Sequence, residues 1–130
     1  MDVNYYNRGG NMDILFWVLL GFVAYLFISR MMPVKGIKTI STNDLKNIIK
    51  QKDKQFIDVR TPGEYQSNHI KQFKNMPLHQ LKQTAQTLDK TKETYVICQS
   101  GMRSMQAAKI LKKAGFSNIT NVTGGMNAWR

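Results

Sequence analysis

Sixteen consecutive uncharged residues, Ile14 to Ser29, limit what this chain can become. Most are large and apolar, and no polar stripe interrupts them, so the run does not read as the amphipathic helix of a soluble core. About 20 helical residues cross a bilayer. The run reaches that length if Arg30 snorkels and leaves Met31 and Met32 in the hydrocarbon, which predicts a transmembrane helix over 14–32. A secretory signal would open on basic residues and close on small ones. Here Asp2 and Asp13 accompany a lone Arg8, and the run ends Phe27-Ile28-Ser29-Arg30, so the expectation is an uncleaved single-pass anchor in the lipid bilayer. Arg30, Lys35 and Lys38 follow closely behind it. That bias predicts a cell-membrane protein with its N-terminus outside and its C-terminal domain cytoplasmic. Residues 1–13 read as a short extracytoplasmic tail, and 33–36, broken by Pro33 and Gly36, as a linker.

From Pro33 onward 98 residues remain, enough for one small core over 37–130. With Arg8, Arg30, Asp2 and Asp13 ahead of it, this part keeps 17 basic and 6 acidic residues, the whole net charge of +11. The lysines lie on predicted helices and turns without interleaved aromatics. They read as a solvated surface, and no nucleic-acid partner is expected.

Strand and helix patterns alternate. Ile37–Ile40, Phe56–Val59, Phe73–Met76, Tyr95–Ile97 and Ile119–Val122 read as strands. Ser41 or Thr42 offers an N-cap to a helix carrying Leu45, Ile48 and Ile49, while Thr61-Pro62-Gly63-Glu64 opens a short helix. His79–Leu88 reads as one helix. After Met102, Ser104, Ala107, Ala108 and Leu111 recur at helical spacing and form a small-residue face. This alternation predicts an α/β domain with a mainly parallel central sheet flanked by helices, whose functional groups gather beyond the strands' carboxyl ends.

Cys98, the only cysteine, stands at such an end. The strand Tyr95–Ile97 delivers it to a loop, Gln99-Ser100-Gly101, that leads into the helix from Met102. Unpaired N–H groups and the helix dipole make that entrance an anion site, and Arg103 adds a fixed charge, so the arrangement suits an anionic sulfur nucleophile. A single cysteine allows no internal disulfide or dithiol cycle, and with only His69 and His79 there is no plausible zinc set.

The stretch Cys98-Gln99-Ser100-Gly101-Met102-Arg103-Ser104 resembles the active-site loop of single-domain rhodaneses, sulfurtransferases that carry sulfur as a cysteine persulfide. Asp58-Val59-Arg60-Thr61-Pro62-Gly63-Glu64-Tyr65, His69-Ile70 and Thr123-Gly124-Gly125-Met126-Asn127-Ala128-Trp129 resemble further signatures of that family, in the family's order. The resemblance runs from about Gly36 to the end. It implies a rhodanese-like fold and a thiosulfate sulfurtransferase type of enzyme. Cys98 would be the nucleophile, the loop Gln99, Ser100, Gly101, Met102 and Arg103 would bind substrate, and Asp58, Arg60 and Glu64 would support them. Asp58 and Arg60 are expected to form a structural network, with Glu64 pairing either Arg60 or Arg103. Where the family often has Gly-His, this chain has Asn68-His69, and an asparagine can hold a left-handed turn there. His69 is expected to be structural, Gly124-Gly125 to serve tight backbone packing, and Trp129 to pack on the core or cap it.

The implied partners are a sulfur donor, thiosulfate or a persulfide, and a thiol acceptor, small or on a protein; no cofactor is called for. Cys-based phosphatases and arsenate reductases hold their arginine one position later, around a wider loop, and the shorter loop here fits a sulfur atom better. A third reading is a membrane-tethered interaction module of the same fold with incidental catalysis.

Overall fold

The computed structural model describes residues 10–32 and 34–130. The expected tail through residue 9, and Pro33 in the linker, lie outside the described residues. Two compact units meet after residue 33, the second being Val34–Arg130.

The described residues of the first unit form one helix, α1 (Gly10–Met31), of 22 residues. It starts four residues before Ile14, because backbone hydrogen bonding continues through Asn11, Met12 and Asp13, and an acidic residue in a first turn is favoured by the helix dipole. Arg30 lies in its last turn, with the opposite sign at the opposite end. At about 1.5 Å per residue the helix is long enough to cross a bilayer, and its side chains from Asn11 to Arg30 are exposed within the structure.

The second unit alternates as its periodicity predicts: β1 (Ile37–Ile40), α2 (Thr42–Ile48), β2 (Gln55–Asp58), α3 (Pro62–Ser67), β3 (Lys74–Asn75), α4 (Leu81–Thr84), β4 (Thr94–Ile97), α5 (Met102–Lys113), β5 (Ile119–Val122) and α6 (Gly125–Ala128). The five strands form one sheet in the order β1-β5-β4-β2-β3, and every pairing is parallel. Ser41 caps α2, its hydroxyl accepting from the Asp44 N–H at 3.1 Å.

Two sequence expectations change. The helix expected over His79–Leu88 is only α4, framed by 3₁₀ turns at Leu78–Gln80 and Ala85–Thr87. The fully buried anchors of this segment are Leu81, in α4, and Ala85, in the second 3₁₀ turn, and the polar residues around them have no second apolar face to hold a regular helix. The strand expected over Phe73–Met76 pairs only at Lys74 and Asn75, as an edge strand.

Side chains of β4 alternate between the faces of the sheet. Val96 and Cys98 join the cluster under α4 and α5, where Ala107, Ala108 and Leu111 are buried. Tyr95 and Ile97 join the opposite cluster with Leu45, Phe56, Phe73 and Val122. The small residues of α5 let it lie close on the sheet, which sets its first turn directly beyond the end of β4. The cysteine loop therefore stands over the middle strand, with packed core on both sides of its root.

Candidate functional site

Ile97 ends β4, and Gly101 is the N-cap of α5, so three residues after Cys98 the backbone has already turned into the helix. That turn needs φ of +104° at Gly101, a left-handed conformation in which a side chain would be strained. As a result the Gly101 N–H points back and donates to Cys98 Sγ at 3.0 Å. Ser104, one helical turn on, places its hydroxyl 3.3 Å from the same sulfur while donating to the Gly101 carbonyl at 3.0 Å. Asn121 of β5 reaches that carbonyl from below through Nδ2, at 3.3 Å. Cys98 is fully buried.

The outer side of the loop is held by the last segment of the chain. The N–H groups of Met126 and Asn127 donate to the carbonyls of Cys98 and Gln99 at 2.9 and 3.0 Å, and Gln99 Nε2 donates to Asn127 Oδ1 at 2.6 Å. A Cβ on Gly125 would fall 2.2 Å from the Cys98 carbonyl oxygen, so the approach is open only to glycine. The backbone packing expected of Gly124-Gly125 is found there.

Asp58 and Arg60 form the network expected of them. Both are buried, and the Arg60 guanidinium donates to both Asp58 oxygens at 2.8 to 3.1 Å. It also reaches Gln99 Oε1 at 3.2 Å and the Asn68 carbonyl at 2.6 Å, tying the end of β2 to the cysteine loop. Glu64 takes Arg103 as its partner. Arg103 Nη1 and Nη2 donate to Glu64 Oε1 and Oε2 at 2.7 and 2.8 Å, whereas Arg60 touches only the Glu64 backbone carbonyl. Glu64 also closes a capping box with Thr61 at the start of α3. These bonds, the one from Arg103 foremost, hold its carboxyl down to about 2. The Arg103 guanidinium is raised in turn, chiefly by Glu64 and in smaller part by Cys98 and Asp58.

Ser100 and Met102 are exposed. His69 lies apart from the loop, stacked on Tyr65 at 3.9 Å with Nδ1 2.8 Å from the Tyr65 carbonyl. Asn68 is extended, with φ of −165°, so the left-handed turn expected at this position is absent; α3 ends without it, on an Asn68 N–H to Glu64 carbonyl bond. Trp129 is half-buried against the second core cluster.

Ser104, Asn121 and Asn127 were not singled out by sequence as site residues. Asn121 carries a signal: an asparagine inside the expected strand Ile119–Val122 puts a polar group at a core position, where it needs a partner. Ser104 closes the motif that carries the family resemblance, but its spacing with Ala107, Ala108 and Leu111 reads as part of a packing face.

The family model for the rhodanese-like domain matches residues 41–130. The chain belongs to the rhodanese-like family. The rhodanese-like region is 43% identical over 94 residues to Putative sulfurtransferase YtwF of Bacillus subtilis, covering 72% of this chain and 90% of that one. Uncharacterized protein YqhL of the same organism is 34% identical over 119 residues, 92% of each chain. The solved rhodanese-like domain protein from Staphylococcus aureus superposes with a TM-score of 0.66 at 33% identity, over 72% of this chain and 91% of its own.

Proposed function

We propose that this rhodanese-like protein is a membrane-anchored sulfurtransferase that carries sulfane sulfur as a persulfide on Cys98. The observation that carries the reading is the Gly101 N–H aimed at Cys98 Sγ at 3.0 Å, at the entrance of a twelve-residue helix whose dipole favours negative charge. Membership of a family with relatives named as sulfurtransferases agrees with it.

The thiolate of Cys98 attacks the outer sulfur of a donor. With thiosulfate, the bond between that sulfur and the sulfonate sulfur breaks, sulfite leaves with the bonding pair, and Cys98–S–S⁻ remains. An acceptor thiolate then attacks the outer sulfur, forms its own persulfide and returns Cys98 as thiolate. In either state the Gly101 N–H supplies a hydrogen bond to the sulfur chain, and the Ser104 hydroxyl supplies a second only by turning its proton away from the Gly101 carbonyl. Water does not reach Cys98 in the resting structure, and a donor sulfur is larger than water, so attack requires the loop mouth to open. Asp58 and Arg60 position the loop through Gln99 and take no part in the transfer.

The anchor in this proposal is α1, with the N-terminus outside and the catalytic domain cytoplasmic; Arg30, Lys35 and Lys38 directly behind the apolar run support that orientation.

The test is the intact mass of the full chain in detergent after incubation with thiosulfate or an alkyl persulfide and removal of excess donor. A gain of one sulfur atom, reversed by cyanide or a small thiol and absent in Cys98→Ser, is expected. No gain with either donor in folded, reduced protein overturns the proposal in favour of a tethered binding module.

A further inference from the structure

The residue that faces Arg103 is Glu64. An arginine beside a sulfur-transfer loop would ordinarily be read as the group that receives an anionic donor. Here both ends of its fork are already engaged by one carboxylate, at 2.7 and 2.8 Å. That carboxylate is not free to leave. Glu64 Oε1 also accepts from the Thr61 hydroxyl at 3.0 Å and the Thr61 N–H at 3.3 Å, so withdrawing it from Arg103 disrupts the cap of α3. The depressed carboxyl of Glu64, at about 2, reports the same grip. The rim of the loop is therefore a neutral pair with a fixed carboxylate in it. Thiosulfate arrives with two negative charges, and sulfite departs with two. Both would sit beside Glu64 without an unclaimed guanidinium to balance them.

A second observation concerns the space next to this pair. An open cleft of about 250 Å³ is lined by Val59, Thr61, Pro77, Leu78, His79 and Arg103. Val59 and Pro77 are buried and Leu78 is half-buried, and these three give the cleft an apolar wall, with Thr61, His79 and Arg103 completing its lining. The cleft adjoins the root of the cysteine loop, since the Val59 N–H donates to the carbonyl of Ile97, the residue before Cys98, at 3.0 Å. A carbon chain suits the apolar wall of this cleft better than a sulfonate does.

We infer that Glu64 is a specificity-determining residue of the donor site: by neutralising Arg103 it selects an organic persulfide, whose carbon part occupies the cleft of Val59, Pro77 and Leu78, over thiosulfate. This rests on the sulfur-carrier reading above. The step balances as Cys98–S⁻ plus R–S–SH giving Cys98–S–S⁻ plus R–SH. The donor S–S bond breaks, a new one forms on Cys98, and the proton of the outer sulfur passes to the departing thiolate. The leaving group is then a neutral thiol.

Glu64→Gln separates charge from structure, because glutamine also serves in a capping box. In the full chain, second-order rates of sulfur loading are measured for thiosulfate and for alkyl persulfides of increasing chain length. Wild type is expected to favour the alkyl persulfides, more so as the chain lengthens. Glu64→Gln is expected to raise the thiosulfate rate relative to the persulfide rate by about tenfold, the order of effect of one unit charge near contact in partly screened surroundings. A variant that changes both rates by the same factor shows Glu64 to be merely structural and overturns the inference, as does a wild type that prefers thiosulfate. Absence of loading from every donor is a different result, and removes the sulfur-carrier reading itself.

Discussion

Asp58 and Arg60 tie the end of β2 to the cysteine loop through a buried ion pair. Taking either partner away leaves the other uncompensated among Ile57, Val59 and Ile97, all nearly inaccessible. Arg60→Met is expected to destabilise the domain by about 3–5 kcal/mol, read as a lower urea midpoint, and to slow persulfide loading because Gln99 loses its tie to β2. Gly125→Ala tests the other side of the loop. Its methyl group cannot coexist with the Cys98 carbonyl, so the loop must shift; loading is expected to fall by at least about tenfold, with about 1–3 kcal/mol of lost stability. Equal loading in Gly125→Ala and wild type would show that the outer wall of the loop is dispensable. At this scale the sequence was informative where chemistry restricts the residue type. Cys98, Gly101 and Arg103 stand out because the proposed nucleophile, a left-handed turn and a fixed charge each admit few residues. The pairing of Glu64 with Arg103 over Arg60 was not legible, since an arginine paired with Asp58 keeps N–H groups to spare, and only the closed fold shows that Arg60 gives them to Gln99 and Asn68.

Among the elements, α3 carries the most consequence for its length. It buries none of its own side chains, so its start depends on the Thr61–Glu64 capping box. Thr61→Ala is expected to cost about 1 kcal/mol and to loosen Arg103 with it, which thermal unfolding and the thiosulfate rate would both register. The acid limb follows from the same carboxylate. Glu64 titrates at about 2 in the fold against an ordinary 4.5, so its stabilisation is complete above pH 4.5 and is lost as pH falls towards 2. The Arg103 and Glu64 side chains are 35% and 34% exposed, so screening keeps this contribution within about 1 kcal/mol. Glu64→Gln should lose correspondingly less stability between those pH values in acid unfolding curves. The strands and α5 could be read from periodicity because each has one face or both against the core. The failure at His79–Leu88 has the same cause in reverse: two anchors, Leu81 and Ala85, fix a segment to the sheet but do not specify that it stay helical between and beyond them.

For the molecule as a whole, the division after residue 33 separates an apolar helix from a unit with its own sheet and two apolar clusters. Residues 34–130 alone are expected to unfold cooperatively, with a thermal midpoint within a few degrees of the full chain in detergent, and to stay in the supernatant when membranes are pelleted. A truncated protein without a cooperative transition would show that the core needs the helix. The sheet order also bears on how the protein is made. β5 lies between β1 and β4, so β1 has no sheet neighbour until Ile119–Val122 has been synthesised, although α1 and β1 emerge first. Pairings this distant in sequence close late. Met126 and Asn127, which hold the carbonyls of Cys98 and Gln99, follow β5, so the cradle that shields the cysteine closes only after β5 has joined the sheet, among the last contacts the domain makes.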